Sequence, residues 1–366
     1  MDQTPLRLLS LDGGGVRGLS SLYILQDLMR QIAREHGANN PDAPKISPRP
    51  CEYFDLIGGT STGGLIALML GRLRMVIQRF FFRNSDIQSV EDAILKYKTL
   101  SQRVFSRASN DPKAKFDEKR YEEQIKNIVA TAVVGGQSPS MQLEDVRPDL
   151  CPTFVVATSL RAGGAVRMRS FRTRDDDPFP ACIWQVARAT SAAPTYFLPI
   201  TIDDVKYGDG GTGWNNPAKE VISEARNKWP GRPIGVLVSI GTGLEEALQL
   251  NDSSNRVPRI VQSLLENTSP EHAFELAVAE YAVACITSCE LIHREVSQNC
   301  DHDILNGNYF RLNVTQGMSK IGLAEWDKVG DMTALTKRYM EDGEIRKKRR
   351  IIVDLLQDPR RASRFA

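Results

Sequence analysis

Three glycine-flanked stretches hold the residue types that acyl chemistry needs. Ser61 lies in Gly59-Thr60-Ser61-Thr62-Gly63, a G-x-S-x-G pattern set between two apolar runs. Glycines on both sides relieve crowding where a serine is held on a sharp strand-to-helix turn with its hydroxyl exposed. A helix starting just after the serine also favours negative charge there. A glycine-rich turn without chemistry is the plainer alternative.

A serine hydroxyl needs a base. The chain has four histidines, His36, His272, His293 and His302. His272 and His293 follow Ser61 in the order a hydrolase triad would use. Both stand among charged neighbours in stretches of helical pattern and read as surface histidines. Asp209 is the better candidate, in Tyr207-Gly208-Asp209-Gly210-Gly211 after a short strand expected over 200–207. Its glycines let the backbone approach another loop closely. Burial beside an apolar acyl pocket would raise its pKa, and contact with the hydroxyl would supply the geometry. An ordinary turn aspartate is the alternative.

The third stretch is Asp12-Gly13-Gly14-Gly15-Val16-Arg17-Gly18. Consecutive glycines before a helix can aim several N–H groups into one concavity, which suits an anion or a developing oxyanion. Gly13, Gly15 and Gly18 also satisfy G-x-G-x-x-G, the dinucleotide fingerprint. That reading needs an acidic residue about 20 positions further on, at the end of a second strand. The stretch from His36 to Pro41 holds no strand, so dinucleotide binding is disfavoured.

The elements around these stretches alternate between strand and helix. Leu6–Leu11 reads as a buried strand and Leu19–Glu35 as a helix with apolar residues at helical spacing. A loop is expected over 36–50, a strand over 53–57, a glycine turn over 58–64 and a helix over 65–73. Strands over 154–158 and 236–240 lack polar alternation, as in a sheet covered on both faces. Helices are expected over 217–229 and 273–296, and mostly over 325–356. One α/β domain of three layers fits this order.

Composition narrows the function classes. Lys+Arg 47 against Asp+Glu 45 leaves a net charge of +2, which argues against a nucleic-acid binder. Six scattered cysteines without a C-x-x-C pair suit free thiols in a reducing compartment. The N-terminus does not read as a signal peptide, and no apolar run of about 18 residues predicts a transmembrane helix. The expected location is cytoplasmic, with peripheral membrane contact.

In order along the chain, 12–18, 59–63, Ala187-Arg188-Ala189-Thr190-Ser191-Ala192-Ala193-Pro194 and Asp209-Gly210-Gly211 resemble the patatin-like phospholipase family. Asn216-Pro217 and Ser239-Ile240-Gly241-Thr242-Gly243 are similar to that family too. The resemblance implies a three-layer α/β fold with a mainly parallel central sheet flanked by helices. It covers 6–340, leaving 341–366 as a basic C-terminal helix or tail. It implies a Ser61–Asp209 dyad without histidine or metal, and an oxyanion loop of Gly13, Gly14, Gly15, Arg17 and Gly18. The amides of Gly14 and Gly15 would hold the charge. Gly59 and Gly63 would flank the elbow, and Gly210 and Gly211 would form the turn after the base. No cofactor is implied. The implied substrate is a phospholipid or other acyl lipid, met in transient contact with a membrane surface. An acyltransferase using the same acyl-enzyme, or a lipase-fold signalling or defence module, is the alternative.

Two segments stand apart. Arg346-Lys347-Lys348-Arg349-Arg350 is a basic run that reads as a solvated helix face or as a contact with anionic lipid. The 13 residues Val76–Gln88, with Phe80-Phe81-Phe82 between arginines, are extra to the family pattern. They read as a membrane-inserting loop or as an in-frame retained intron.

Overall fold

Leu6 and Leu8 turn their side chains to one face of the central sheet, and Leu9 and Leu11 to the other. All four are buried, because helices cover both faces. The computed structural model describes residues 4–39, 48–75, 93–111, 114–132, 136–147, 151–244, 289–299 and 307–357. Segment 76–88 and His272 lie outside them.

Among the described residues, eight strands form one sheet: β1 (Leu6–Leu11), β2 (Leu56–Thr60), β3 (Thr153–Ser159), β4 (Gly164–Arg169), β5 (Ile200–Ile202), β6 (Val205–Asp209), β7 (Ile234–Ile240) and β8 (Tyr309–Leu312). The order is β5-β6-β3-β2-β1-β7-β8, with β4 paired to β3. Strands β3, β2, β1, β7 and β8 run parallel to one another, while β4 and β6 pair antiparallel with β3, and β5 antiparallel with β6.

The helices are α1 (Gly18–Asn39), α2 (Pro50–Tyr53), α3 (Thr62–Ala67), α4 (Ala93–Phe105), α5 (Glu118–Ala130), α6 (Ile183–Thr190), α7 (Gly211–Trp214), α8 (Ala218–Lys228), α9 (Cys289–Asn299), α10 (Val329–Met340) and α11 (Gly343–Gln357). Helices α8 and α9 cover the face of Leu6, Leu56 and Phe154, through Val221, Ala225 and Val296. Helices α1, α3, α4, α5, α6, α10 and α11 cover the face of Leu9, Ile57 and Val155. Ile352, Val353, Leu355 and Leu356 of α11 lie in this larger core. Arg346, Lys347, Lys348 and Arg350 line its exposed side, while Arg349 reaches Asp27 of α1 at 2.5 Å.

The structure corrects several expected boundaries. The strand expected over 53–57 begins at Leu56, because Pro50 opens the helical turn α2, and it runs on to Thr60. Gly58 and Gly59 are therefore strand residues, not turn residues. A Cβ on Gly58 would lie 2.5 Å from the Phe154 ring, so glycine is required for packing. The strand expected over 200–207 is a hairpin. Asp203 and Asp204 take φ of 46° and 61°, the left-handed pair that suits a two-residue turn. After α3 the apolar helix widens into a π-turn at Leu68–Arg72. There Arg72 donates to the carbonyls of Leu143 at 2.7 Å and Gln142 at 2.8 Å. Strands β4 and β8 were not expected. In β4, Arg167 and Arg169 mask the pattern by pairing with Glu220 and Glu224 of α8.

Candidate active site

Strands β2 and β6 meet end to end on one edge of β3. β2 pairs with the first half of β3, up to Thr60 opposite Val156. β6 runs the other way along the second half, ending with Asp209 opposite Ala157. β4 occupies the opposite edge of β3 throughout, so β2 and β6 must share this one. Their ends stop one residue apart in register. Ser61 follows Thr60, and its Oγ donates to Asp209 Oδ2 at 2.7 Å.

The serine sits on a strained turn. Ser61 has φ 55° and ψ −126°, a conformation that costs a non-glycine residue about 1–3 kcal/mol. Its surroundings hold it there. The Ser61 N–H donates to Thr190 Oγ1 at 3.0 Å, and its carbonyl accepts from Leu65 N–H at 3.1 Å. A Cβ on Gly59 would lie 2.2 Å from the Gly63 carbonyl oxygen, and one on Gly63 equally close to that of Leu11. Any side chain at either position would push the strand and helix apart.

Asp209 is 5% exposed. Its Oδ1 accepts the Gly211 N–H at 2.6 Å, its own N–H donates to the Ala192 carbonyl at 3.2 Å, and its carbonyl accepts from Thr158 Oγ1 at 3.0 Å. Burial pushes its carboxyl from 3.8 up to about 7, against the opposing bonds from Gly211 and Ser61. A carboxylate poised near neutrality can take up and return a proton at ordinary pH. A Cβ on Gly210 would lie 2.3 Å from the Val156 carbonyl oxygen, which is why glycine follows the aspartate.

The loop after β1 lies against the serine. A Cβ on Gly13 would come within 2.9 Å of Ser61 Cβ. Gly13 N–H donates to the Asn215 carbonyl at 3.1 Å and Gly14 N–H to Thr62 Oγ1 at 3.1 Å. The Gly14 carbonyl accepts from Arg17 N–H at 3.2 Å and from Arg17 Nε at 3.4 Å. In a trans peptide the carbonyl and the following N–H point in opposite directions. Arg17 therefore turns the Gly15 N–H away from itself, and no acceptor for that N–H stands among the described residues. Of the two expected amides, Gly15's is open and Gly14's is held by Thr62.

Asp12 has a different task. It is buried, and its Oδ2 accepts from Arg311 Nη2 of β8 at 2.6 Å. Arg311 also donates to Ser239 Oγ at 3.0 Å and Glu290 at 3.2 Å. This pair ties the end of β1 to β7 and β8 beneath the glycine loop. His293 lies on α9 and hydrogen-bonds Tyr309 at 3.2 Å and Ser297 at 3.3 Å. Thr190, Thr62, Asn215 and Arg311 were not singled out in the sequence. Thr190 lay inside a quoted motif, but nothing in its type marked it as the anchor of the serine amide.

The family model for patatin-like phospholipases matches residues 9–222. The chain belongs to the patatin-like phospholipase family. The matched span contains the glycine loop, the elbow and the Asp209 turn of this patatin-like chain. Human calcium-independent phospholipase A2-gamma is 28% identical over 261 residues, covering 66% of this chain and 29% of the relative. Phospholipase A I of Arabidopsis thaliana is 29% identical over 283 residues, covering 65% and 21%. The cGAMP-activated phospholipase of Vibrio cholerae is 29% identical over 263 residues, covering 68% and 67%. This patatin-like chain thus spans less than a third of the length of the human and plant relatives.

Proposed function

We propose that the protein is a lipid acyl hydrolase, cleaving fatty-acyl esters of phospholipids or lysophospholipids through an acyl-enzyme on Ser61. The carrying observation is the 2.7 Å bond from Ser61 Oγ to a buried Asp209 carboxyl held near neutrality. Family membership and three relatives named as phospholipases support the substrate class.

Ser61 Oγ attacks the ester carbonyl carbon as Asp209 Oδ2 takes its proton. The carbonyl oxygen becomes an oxyanion beside the Gly15 N–H, which costs no reorganisation because Arg17 has already fixed that peptide. The bond from carbonyl carbon to alcohol oxygen breaks, and Asp209 returns the proton to the leaving alcohol. Water then loses a proton to Asp209 and attacks the acyl carbon; the bond from acyl carbon to Ser61 Oγ breaks, Asp209 returns the proton to Oγ, and the fatty acid leaves. The Gly211 N–H on Oδ1 leaves Oδ2 to face the serine through both halves.

The free thiols of Cys51, Cys151 and Cys182 support a cytoplasmic location. The exposed basic side of α11 supports reversible contact with an anionic lipid surface. The reading is tested by incubating purified protein with a phospholipid panel and identifying products by mass spectrometry. Free fatty acid and lysophospholipid are expected; an intact panel would contradict it.

A further inference from the structure

Arg188 of α6 is the largest side chain that is fully buried among the described residues. A buried cation is costly unless it is paired. Its Nη2 donates to the Leu198 carbonyl at 2.9 Å, and its Nε faces Glu122 Oε1 of α5 at 3.6 Å. Nε and Nη1 have no hydrogen-bond partner among the described residues. The guanidinium lies over the rings of Tyr121 at 5.5 Å and Phe197 at 5.7 Å. An apolar side chain would fill this space without the cost of a buried charge, so what arginine adds is the bond to Leu198.

That bond closes 188–198 into a loop, and the loop carries both dyad residues. Thr190 Oγ1 accepts the Ser61 N–H at 3.0 Å, and just past Ser191 the Ala192 carbonyl accepts the Asp209 N–H at 3.2 Å. Ser191 is held as well: its Oγ donates to the Ala187 carbonyl at 2.6 Å and so accepts from the Tyr121 hydroxyl at 2.8 Å. Burial, with the Asp209 charge adding to it, pushes the Tyr121 phenol up to about 12, so it stays a neutral donor. The far side of the loop is strained. Thr195 has φ 68°, a conformation that a β-branched residue resists. Its carbonyl accepts from Lys115 N–H at 2.8 Å, and that of Tyr196 from Phe116 N–H at 3.0 Å. Arg188 ties the outgoing end, past Thr195, back to α6.

We propose that Arg188 is a positioning residue for the dyad: by closing 188–198 it fixes the separation of the two anchors, Thr190 and Ala192, and with it the reach of Ser61 Oγ to Asp209 Oδ2. This role rests on the hydrolase reading above. Arg188 acts through the loop, and no bond to it is made or broken in the reaction. Opening the loop loosens both anchors and admits water to Asp209, which lowers the carboxyl toward its ordinary value.

The test measures kcat, KM and the pH dependence of kcat/KM on p-nitrophenyl butyrate for wild type, Arg188→Met and Arg72→Met, with Tm for each. Methionine fills much of the space of arginine without its donors. Arg188→Met should lower kcat about 100-fold with KM within about threefold, the cost of a misplaced pair. The acid limb of kcat/KM should move down from about 7 by about one pH unit. Arg72→Met removes another buried arginine bonded to backbone carbonyls, those of Gln142, Leu143 and Glu144, at the far end of the elbow helix from Ser61. It should lower Tm and leave kcat and the acid limb as in wild type. If Arg188→Met does not fold, Tyr121→Phe takes its place: it frees Ser191 and should shift kcat and the limb in the same direction. A wild-type kcat and limb in folded Arg188→Met, or in Tyr121→Phe in its place, overturns the positioning role. So does an equal loss and shift in Arg72→Met, which would trace to destabilisation alone. Wild type inactive on this ester and on phospholipids overturns the hydrolase reading itself, and the positioning role with it.

Discussion

Thr190 grips Ser61 by its backbone: the threonine Oγ1 accepts the Ser61 N–H at 3.0 Å and donates its own proton to the Val156 carbonyl at 2.6 Å. Val156 is the register partner of Thr60. The strained residue is thereby tied to the strand beside it, and its amide is committed before any substrate arrives. Removing the hydroxyl leaves a polar group unpaired at a cost of about 1–3 kcal/mol. Thr190→Val should lower kcat about 10- to 100-fold with little change in KM, and Thr190→Ser should restore most of it, as read by steady-state kinetics on one ester.

The raised carboxyl predicts a pH profile. Asp209 must be ionised to accept the serine proton, and burial moves its titration from 3.8 to about 7. kcat/KM should be level in the alkaline range and fall about tenfold per pH unit below 7. A rate profile between pH 5 and 9 checks this. A profile already level at pH 5 would show that Asp209 titrates at its ordinary value.

The same displacement bears on stability with a definite sign. A folded-state value above the unfolded one means that the folded protein binds the proton more tightly. The contribution is full below pH 3.8 and is lost as pH rises through about 7. The displacement is worth roughly 4 kcal/mol as an upper bound. Asp209→Asn removes the buried charge and should raise Tm relative to wild type at pH 8 by more than at pH 5. Thermal melts of both proteins at the two pH values check it.

The site is legible in the sequence through its glycines. Gly59, Gly63 and Gly210 each stand where a Cβ would strike a backbone carbonyl within 2.3 Å, so close approach is written in residue type. The covered strands β1, β3 and β7 are legible as predominantly apolar runs. What was not legible depends on partners distant in sequence. β4 carries arginines that pair with Glu220 and Glu224, and β8 carries Arg311, which pairs with Asp12 and Glu290. The hairpin of β5 and β6 read as one strand because Asp203-Asp204 lacks the glycine that usually marks such a turn. Thr62 and Thr190 look like ordinary neighbours of catalytic motifs, and only distances show what their hydroxyls hold.

The pairing of Asp12 with Arg311 predicts an asymmetric pair of variants. Both side chains are buried, so Arg311→Met strands the Asp12 carboxylate. It should destabilise the fold by about 3–5 kcal/mol. Adding Asp12→Asn should recover part of that loss, since the stranded charge is then gone. Urea denaturation of both variants and of wild type checks the order.

The central claim is that Ser61 and Asp209 act as one unit without histidine. The most direct measurement compares turnover of Ser61→Ala, Asp209→Asn, the double variant and His293→Ala on one phospholipid, each confirmed as folded. Each dyad variant should lose about a thousandfold or more, the double variant should be scarcely worse than either, and His293→Ala should stay within a few-fold of wild type. Substantial turnover in Asp209→Asn, or loss of turnover in folded His293→Ala, would contradict the dyad.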